Sequence, residues 1–208
     1  MSEIQVLVLG DTFAGKTSFI FQLKSSEDSP LPEYQSSFGI SNTPVQLQDN
    51  SLRVYEIGGN SDVKSVAEQI ISNIHGAIII VDVLNEKGTC NLDNYLNICG
   101  KIPKVVVANK IDCSPNEYKI DTEKLEKQIQ SKNIHFYALS AKNKDKVDQV
   151  VSDLVGMILN PEQSQKQVPS NADQANPNQA NPDQANADQA NADQSSEKKP
   201  ASKCCILL

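Results

Sequence analysis

The runs Val6-Leu7-Val8-Leu9, Ala77-Ile78-Ile79-Ile80-Val81 and Val105-Val106-Val107-Ala108 are apolar without alternation. That is the pattern of strands covered on both faces of a parallel sheet. Ile134 to Leu139 reads as a further strand, and Val45–Leu47 and Leu52–Ile57 read as a hairpin joined through Asp49-Asn50. Between these runs the spacing turns helical. Residues 16–24 follow the first strand as a helix. Val63, Val66, Ala67, Ile70, Ile71 and Ile74 form one stripe and predict a helix from about Val63 to Asn73. A short polar helix is expected around Asn91–Ile98, and a charged one, capped by Asp121 or Thr122, through about Ser131. The last, Asp145–Leu159, carries Val147, Val150, Val151, Leu154, Val155, Ile158 and Leu159 on one face and stops at Asn160-Pro161. Strands alternate with helices, so the expected fold class is α/β, a mostly parallel sheet with helices on both faces. Ser25 to Thr43 has no periodicity, and a loop of that length in a small domain is functional or disordered.

After Pro161 the pattern stops. From Asn171 to about Ser195 a five-residue unit such as Asn-Pro-Asp-Gln-Ala repeats, with nothing apolar beyond Ala and Pro. Such a segment cannot offset the entropy of ordering itself. Three parts are therefore expected: a folded domain over 1–160, a disordered low-complexity linker over 161–203, and a terminal motif at 204–208.

The candidate chemistry begins at Gly10-Asp11-Thr12-Phe13-Ala14-Gly15-Lys16-Thr17, between a strand and a helix. This context and spacing fit a G-x-x-x-x-G-K-[ST] phosphate loop. Gly15 lets the backbone turn and approach a ligand. Successive amides and the helix N-terminus gather partial positive charge at one point. Lys16 reaches β- and γ-phosphates, and the Thr17 hydroxyl can ligate Mg²⁺. Asn109-Lys110-Ile111-Asp112 follows another strand directly, at the edge where such sheets bind ligands. The Asp112 carboxylate could accept two N–H bonds from a guanine edge, Asn109 would tie loops together, and the Lys110 stem would pack along the base. Ser140-Ala141-Lys142 follows the next strand, with the Ala141 amide placed to meet the guanine oxygen.

With these three motifs in order, the chain resembles the Ras-like small GTPases from about Ile4 to Leu159, and its paired terminal cysteines, Cys204-Cys205-Ile206-Leu207-Leu208, resemble the ending of the Rab branch. The resemblance implies a P-loop NTPase small G-domain with a six-stranded sheet, binding of GTP and GDP with Mg²⁺, and two switch loops, Ser25–Thr43 and Gly58–Ser65. It places the nucleotide on Asp11, Thr12, Phe13, Ala14, Gly15, Lys16, Thr17, Ser18, Gly59, Asn109, Lys110, Asp112, Ser140, Ala141 and Lys142. It places the metal on Thr17, Ser37 and Glu56, and catalysis on Lys16 and Asn60.

The departures from the family are specific. Its second-switch pattern, Asp-x-x-Gly-Gln, reads Glu56-Ile57-Gly58-Gly59-Asn60 here. Glu56 stands for the Asp that holds Mg²⁺ through water, and Asn60 for the Gln that orients the attacking water. Ser37 stands for Thr in Tyr34-Gln35-Ser36-Ser37-Phe38-Gly39. Slow intrinsic GTP hydrolysis is expected, and a pseudo-GTPase scaffold is the alternative. A phosphate-loop kinase is disfavoured, since Asn109–Asp112 and Ser140–Lys142 would then have no purpose.

The chain ends Cys204-Cys205-Ile206-Leu207-Leu208, in which Cys205 opens a C-a-a-X box whose terminal Leu favours geranylgeranyl. One lipid chain anchors only marginally; Cys204 could supply the second signal, as could Lys198, Lys199 and Lys203. The linker, as flexible coil, would span roughly 35 Å. Other sequence features agree. A formal charge of −7 argues against a nucleic-acid partner. Five cysteines without metal-like spacing argue for a reducing compartment. No apolar run approaches the roughly 18 residues of a membrane span, and no signal peptide is expected. The expectation is a cytoplasmic monomer that cycles onto a membrane through its geranylgeranyl group. Exchange factor, activating protein, effectors and a prenyl-binding chaperone are implied as partners, unidentified by sequence. His75 and His135 are expected to be structural.

Overall fold

Among the described residues six strands form one sheet in the order β2-β3-β1-β4-β5-β6. They are β1 (Ile4–Gly10), β2 (Ile40–Leu47), β3 (Asn50–Ile57), β4 (Gly76–Asp82), β5 (Lys104–Asn109) and β6 (His135–Ala138). Only β2 runs antiparallel to its neighbour; β3, β1, β4, β5 and β6 pair in parallel. Among the described residues five α-helices accompany them: α1 (Lys16–Lys24), α2 (Val63–Glu68), α3 (Leu92–Cys99), α4 (Thr122–Ser131) and α5 (Lys144–Leu159), the last following β6. The structure, a computed structural model, describes residues 3–27, 30, 39–59 and 61–161. Expectations for Ser37, Asn60, Cys204 and Cys205, and for the linker and terminal motif past Pro161, lie outside them.

The unbroken apolar strands have the explanation their composition implied. Odd and even positions serve two separate cores. Val6, Val8, Ile78, Ile80, Val105 and Val107 face α1 and α5, where Phe19, Leu23, Val147, Val151 and Leu154 meet them. Leu7, Leu9, Ile79, Val81, Val106 and Ala108 face the other way, toward Ala67 of α2, Leu92 and Leu96 of α3, and Leu125 and Ile129 of α4. β1 and β4 are neighbours whose chains continue in opposite directions, β1 through α1 toward β2 and β4 through α3 toward β5. Such a switch point opens a crevice at the carboxyl ends of the strands. The phosphate loop occupies that place.

Two expected elements are corrected. The first hairpin strand begins at Ile40, not Val45, so the expected long loop loses its last four residues to β2. Ile40–Thr43 is largely exposed and has no apolar alternation; its order comes from pairing with Val54–Ile57 across the edge of the sheet. Pro44 is tolerated there because an edge strand can spare one N–H. The helix expected over about Val63–Asn73 ends at Glu68, and a 3-10 turn follows at Ile71–Asn73. The apolar stripe persists across the break: Ala67 and Ile74 are buried, and Val63, Val66, Ile70 and Ile71 pack half-buried on the same core. Packing requires the face to be apolar, not the helix to be continuous.

Candidate functional site

The phosphate loop joins β1 to α1 and is built around two glycines. Gly15 has φ 96°, and a Cβ there would lie 2.2 Å from Asn109 Nδ2. Only glycine lets the Asn109 side chain pass. Its Nδ2 donates to the Ala14 carbonyl at 2.8 Å, while its Oδ1 accepts from the Ala141 and Lys110 amides, each at 2.8 Å. One buried side chain at the end of β5 thus joins all three expected motifs. Gly59, just past β3, is the second: a Cβ there would lie 2.4 Å from Thr12 N. The segment after β3 therefore rests directly on the phosphate loop.

α1 opens at Lys16 with no side-chain cap and no acidic residue in its first turn. Its leading amides keep their affinity for an anion. Lys16 is only 5% exposed, and its Nζ donates to the Gly10 and Asp11 carbonyls, both at 2.9 Å. Burial lowers its pKa, and Glu56 and Asp11 act against that shift. Phe13 is 59% exposed at φ 65°, an uncommon backbone for a bulky residue.

The metal question rests on Thr17 and Glu56. The Thr17 hydroxyl donates to Glu56 Oε1 at 2.6 Å, so the carboxylate on β3 reaches the hydroxyl expected to ligate the metal. Among the described residues no group of three or more His, Cys, Asp or Glu could hold a metal. A hydroxyl and one carboxylate still suit Mg²⁺, which takes hard oxygens and fills its octahedron with phosphate oxygens and water.

Past β5, at the end expected to hold a base, Asp112 accepts from Lys142 Nζ at 2.8 Å. Burial would raise the Asp112 pKa, but hydrogen bonds from Lys142 and Ser140 bring it below the usual carboxylate range. Three features here were not foreseen. The Ala141 amide, expected to meet a guanine oxygen, is engaged by Asn109 Oδ1, so a base would share that N–H. Lys110, at φ 73°, sends its Nζ to Asp82 Oδ2 at 2.7 Å. Asp82 is buried at the end of β4 and also accepts from Leu84 N at 2.9 Å. An acidic residue closing an apolar strand at the crevice edge was the available signal. Finally, Ser61 Oγ accepts from the Gly39 amide at 2.8 Å and the Gly39 carbonyl from Gly58 N at 2.9 Å. The ends of the two expected switch segments are tied together there.

The remaining candidates behave as structural groups. Cys99 is buried and its thiol is pushed up to about 12 by burial, which makes it inert. His75 Nδ1 accepts from Gln5 N at 2.8 Å and anchors the start of β4. No helix among the described residues is long and apolar enough to cross a membrane.

Comparison with known proteins finds the following similarities. The sequence model of the Ras family matches residues 5–160. Ras-related protein Rab-13 of Canis lupus familiaris is 27% identical over 164 residues, covering 74% of this chain and 79% of that protein. The GTP-binding protein YPTM2 of Zea mays is 25% identical over 163 residues, with the same coverage of both chains. Ras-related protein RIC1 of Oryza sativa subsp. japonica is 24% identical over 170 residues, covering 77% and 83%.

Proposed function

This chain belongs to the Ras family, and from that premise we propose that it is a Rab-type guanine-nucleotide switch of membrane traffic with slow intrinsic hydrolysis. The observation that carries the reading is the Asn109 side chain, which ties the phosphate loop at Ala14 to the Ser140-Ala141-Lys142 loop. The loops proposed to read phosphate and base are thereby joined through one side chain. In this reading Asp11 to Ser18 and Gly59 hold the phosphates, with Lys16 neutralising the charge that develops during transfer. Asn109, Lys110, Asp112, Ser140, Ala141 and Lys142 surround the base. Bound Mg²⁺ would screen the β- and γ-phosphates, held by Thr17 and Ser37 with Glu56 in support.

Hydrolysis is where this chain differs. Asn60 is one methylene shorter than the family's Gln, and ~1 Å of misplacement can cost ~100-fold in rate. Cys204 and Cys205 would carry the geranylgeranyl anchor, with the linker as tether between membrane and G-domain. The chain would meet the cytoplasmic face of a membrane as a monomer, with its exchange factor, activating protein, effectors and prenyl-binding chaperone as partners.

Two measurements test the reading: identifying the nucleotide that co-purifies with the full chain, then timing its single-turnover hydrolysis. GDP or GTP with a slow rate is expected; ATP, or a rate equal to ordinary family members, overturns it. The second reading, a pseudo-GTPase scaffold, is favoured by the same Glu56, Asn60 and Ser37 and predicts bound GTP that does not turn over.

A further inference from the structure

An acidic residue inside a phosphate-binding loop is a liability, because its charge repels the ligand. Asp11 is such a residue, placed between Gly10 and Thr12. Its Oδ1 accepts from Tyr95 OH at 2.7 Å and from Asn91 Nδ2 at 2.8 Å, both presented by α3 some eighty residues further along. Tyr95 is 7% exposed and fixed in the core. Asn91 stands at the N-cap of α3, where its side chain would ordinarily satisfy the helix's own amides, yet it makes no cap bond. Its amide is given to Asp11 instead. Meanwhile the Asp11 carbonyl accepts from Lys16 Nζ at 2.9 Å and from Ala14 N at 3.1 Å. Asp11 is therefore held at both ends, its carboxylate on α3 and its carbonyl on the phosphate lysine. Asp11, Asn91 and Tyr95 line a groove of about 650 Å³ together with Gly59.

We propose that Tyr95 and Asn91 are positioning residues for nucleotide binding, holding the Asp11 carboxylate on α3 and thereby fixing the carbonyl that orients Lys16. The proposal rests on the reading that the phosphate loop holds a guanine nucleotide. Burial, together with the neighbouring Asp11 carboxylate, raises the Tyr95 pKa, so the hydroxyl remains a donor at every physiological pH. The arrangement also makes α3 a lever on the nucleotide, since displacing Tyr95 would release Asp11.

The test is the dissociation rate of a fluorescent GDP analogue from the full chain, chased with excess GDP in Mg²⁺. Tyr95→Phe, which removes one hydroxyl from a bond to a charged group, should speed dissociation about tenfold, and Asn91→Ala should speed it by less. The excess should shrink at high salt, which screens a freed carboxylate. It should also be suppressed by Asp11→Asn in the Tyr95→Phe background, with the double variant within about twofold of Asp11→Asn alone. A purely structural role for Tyr95 would show a rate change that tracks Tm and that Asp11→Asn leaves intact. Either that result or an unchanged Tyr95→Phe rate overturns the proposal. Should Tyr95→Phe fail to fold, Asn91→Ala at its exposed site carries the same comparison. A wild-type chain that retains no GDP overturns the guanine-nucleotide reading, and the proposal with it; a wild type that retains GDP beside an unaltered variant overturns the proposal alone.

Discussion

The Thr17 hydroxyl and the Glu56 carboxylate meet at 2.6 Å across 39 residues of sequence, joining the first turn of α1 to β3. The contact puts an acceptor behind the hydroxyl expected to ligate Mg²⁺. A ligand so supported is oriented before the metal arrives, and such outer partners usually matter almost as much as the ligands. Glu56 also raises the pKa of the buried Lys16, against burial. In the proposed reading, one side chain would therefore support both Lys16 and the Mg²⁺ that Thr17 would ligate.

Glu56→Ala should accordingly raise the Mg²⁺ concentration needed for half-maximal nucleotide retention by about 10- to 100-fold. Titrating Mg²⁺ against EDTA while following nucleotide release gives the midpoint. An unchanged midpoint would separate Glu56 from the metal and leave it only a structural partner of Thr17.

Gly15→Ala should be severe for a reason outside its own loop. The new methyl would sit 2.2 Å from Asn109 Nδ2 and push that side chain off Ala14 and Ala141. Each buried partner left unsatisfied costs about 1–3 kcal/mol. Nucleotide affinity should fall by more than about 100-fold, with a lower Tm. In an Asn109→Ala background the obstruction is gone, so the same substitution should cost less than it does alone. Additive losses in a double-mutant cycle would show that Gly15 and Asn109 act independently.

The parts of this molecule that were legible in sequence are those whose cause is local. β4 was read from Ala77–Val81 because a strand buried on both faces needs apolar residues at every position. The phosphate loop was legible because glycine, lysine and threonine at that spacing carry their own mechanism. The first half of β2 was not, because Ile40–Thr43 are held by the ladder to β3 rather than by their side chains. The broken helix after Asp62 was read as continuous because an apolar stripe records which face is buried and not where the hydrogen bonds change. Asp82, Asn91 and Tyr95 escaped for a different reason. Each acts on a partner far along the chain, and an ordinary Tyr in an amphipathic helix looks like core until its hydroxyl is seen on Asp11.

His135 should make stability pH-dependent. Burial lowers its pKa below the ordinary 6.5, outweighing Asp153, which raises it. Its Nε2 is buried with no hydrogen-bond partner among the described residues. Between the folded-state value and 6.5 the unfolded chain binds the proton more readily, so unfolding takes up a proton and stability rises with pH. Urea denaturation should give an unfolding free energy that falls as the pH is lowered through about 6.5, with a shallower fall in His135→Leu. Equal slopes in the two chains would remove His135 from the account.

Asn60 and Glu56 can be separated by restoring the family's residues one at a time. If the attacking water is badly held because Asn60 is a methylene too short, Asn60→Gln should raise the single-turnover hydrolysis rate by about 10- to 100-fold, with at most a small change in nucleotide dissociation. If instead the metal is displaced by the longer Glu56, Asn60→Gln should do little and Glu56→Asp should raise both the rate and the apparent Mg²⁺ affinity. The Thr17–Glu56 bond argues for the first outcome, because Glu56 already reaches the hydroxyl that a shorter carboxylate would have to reach. Measuring both variants and their combination assigns the slow step. A combination that still fails to turn over GTP would favour the scaffold reading, since neither departure would then account for the absent hydrolysis.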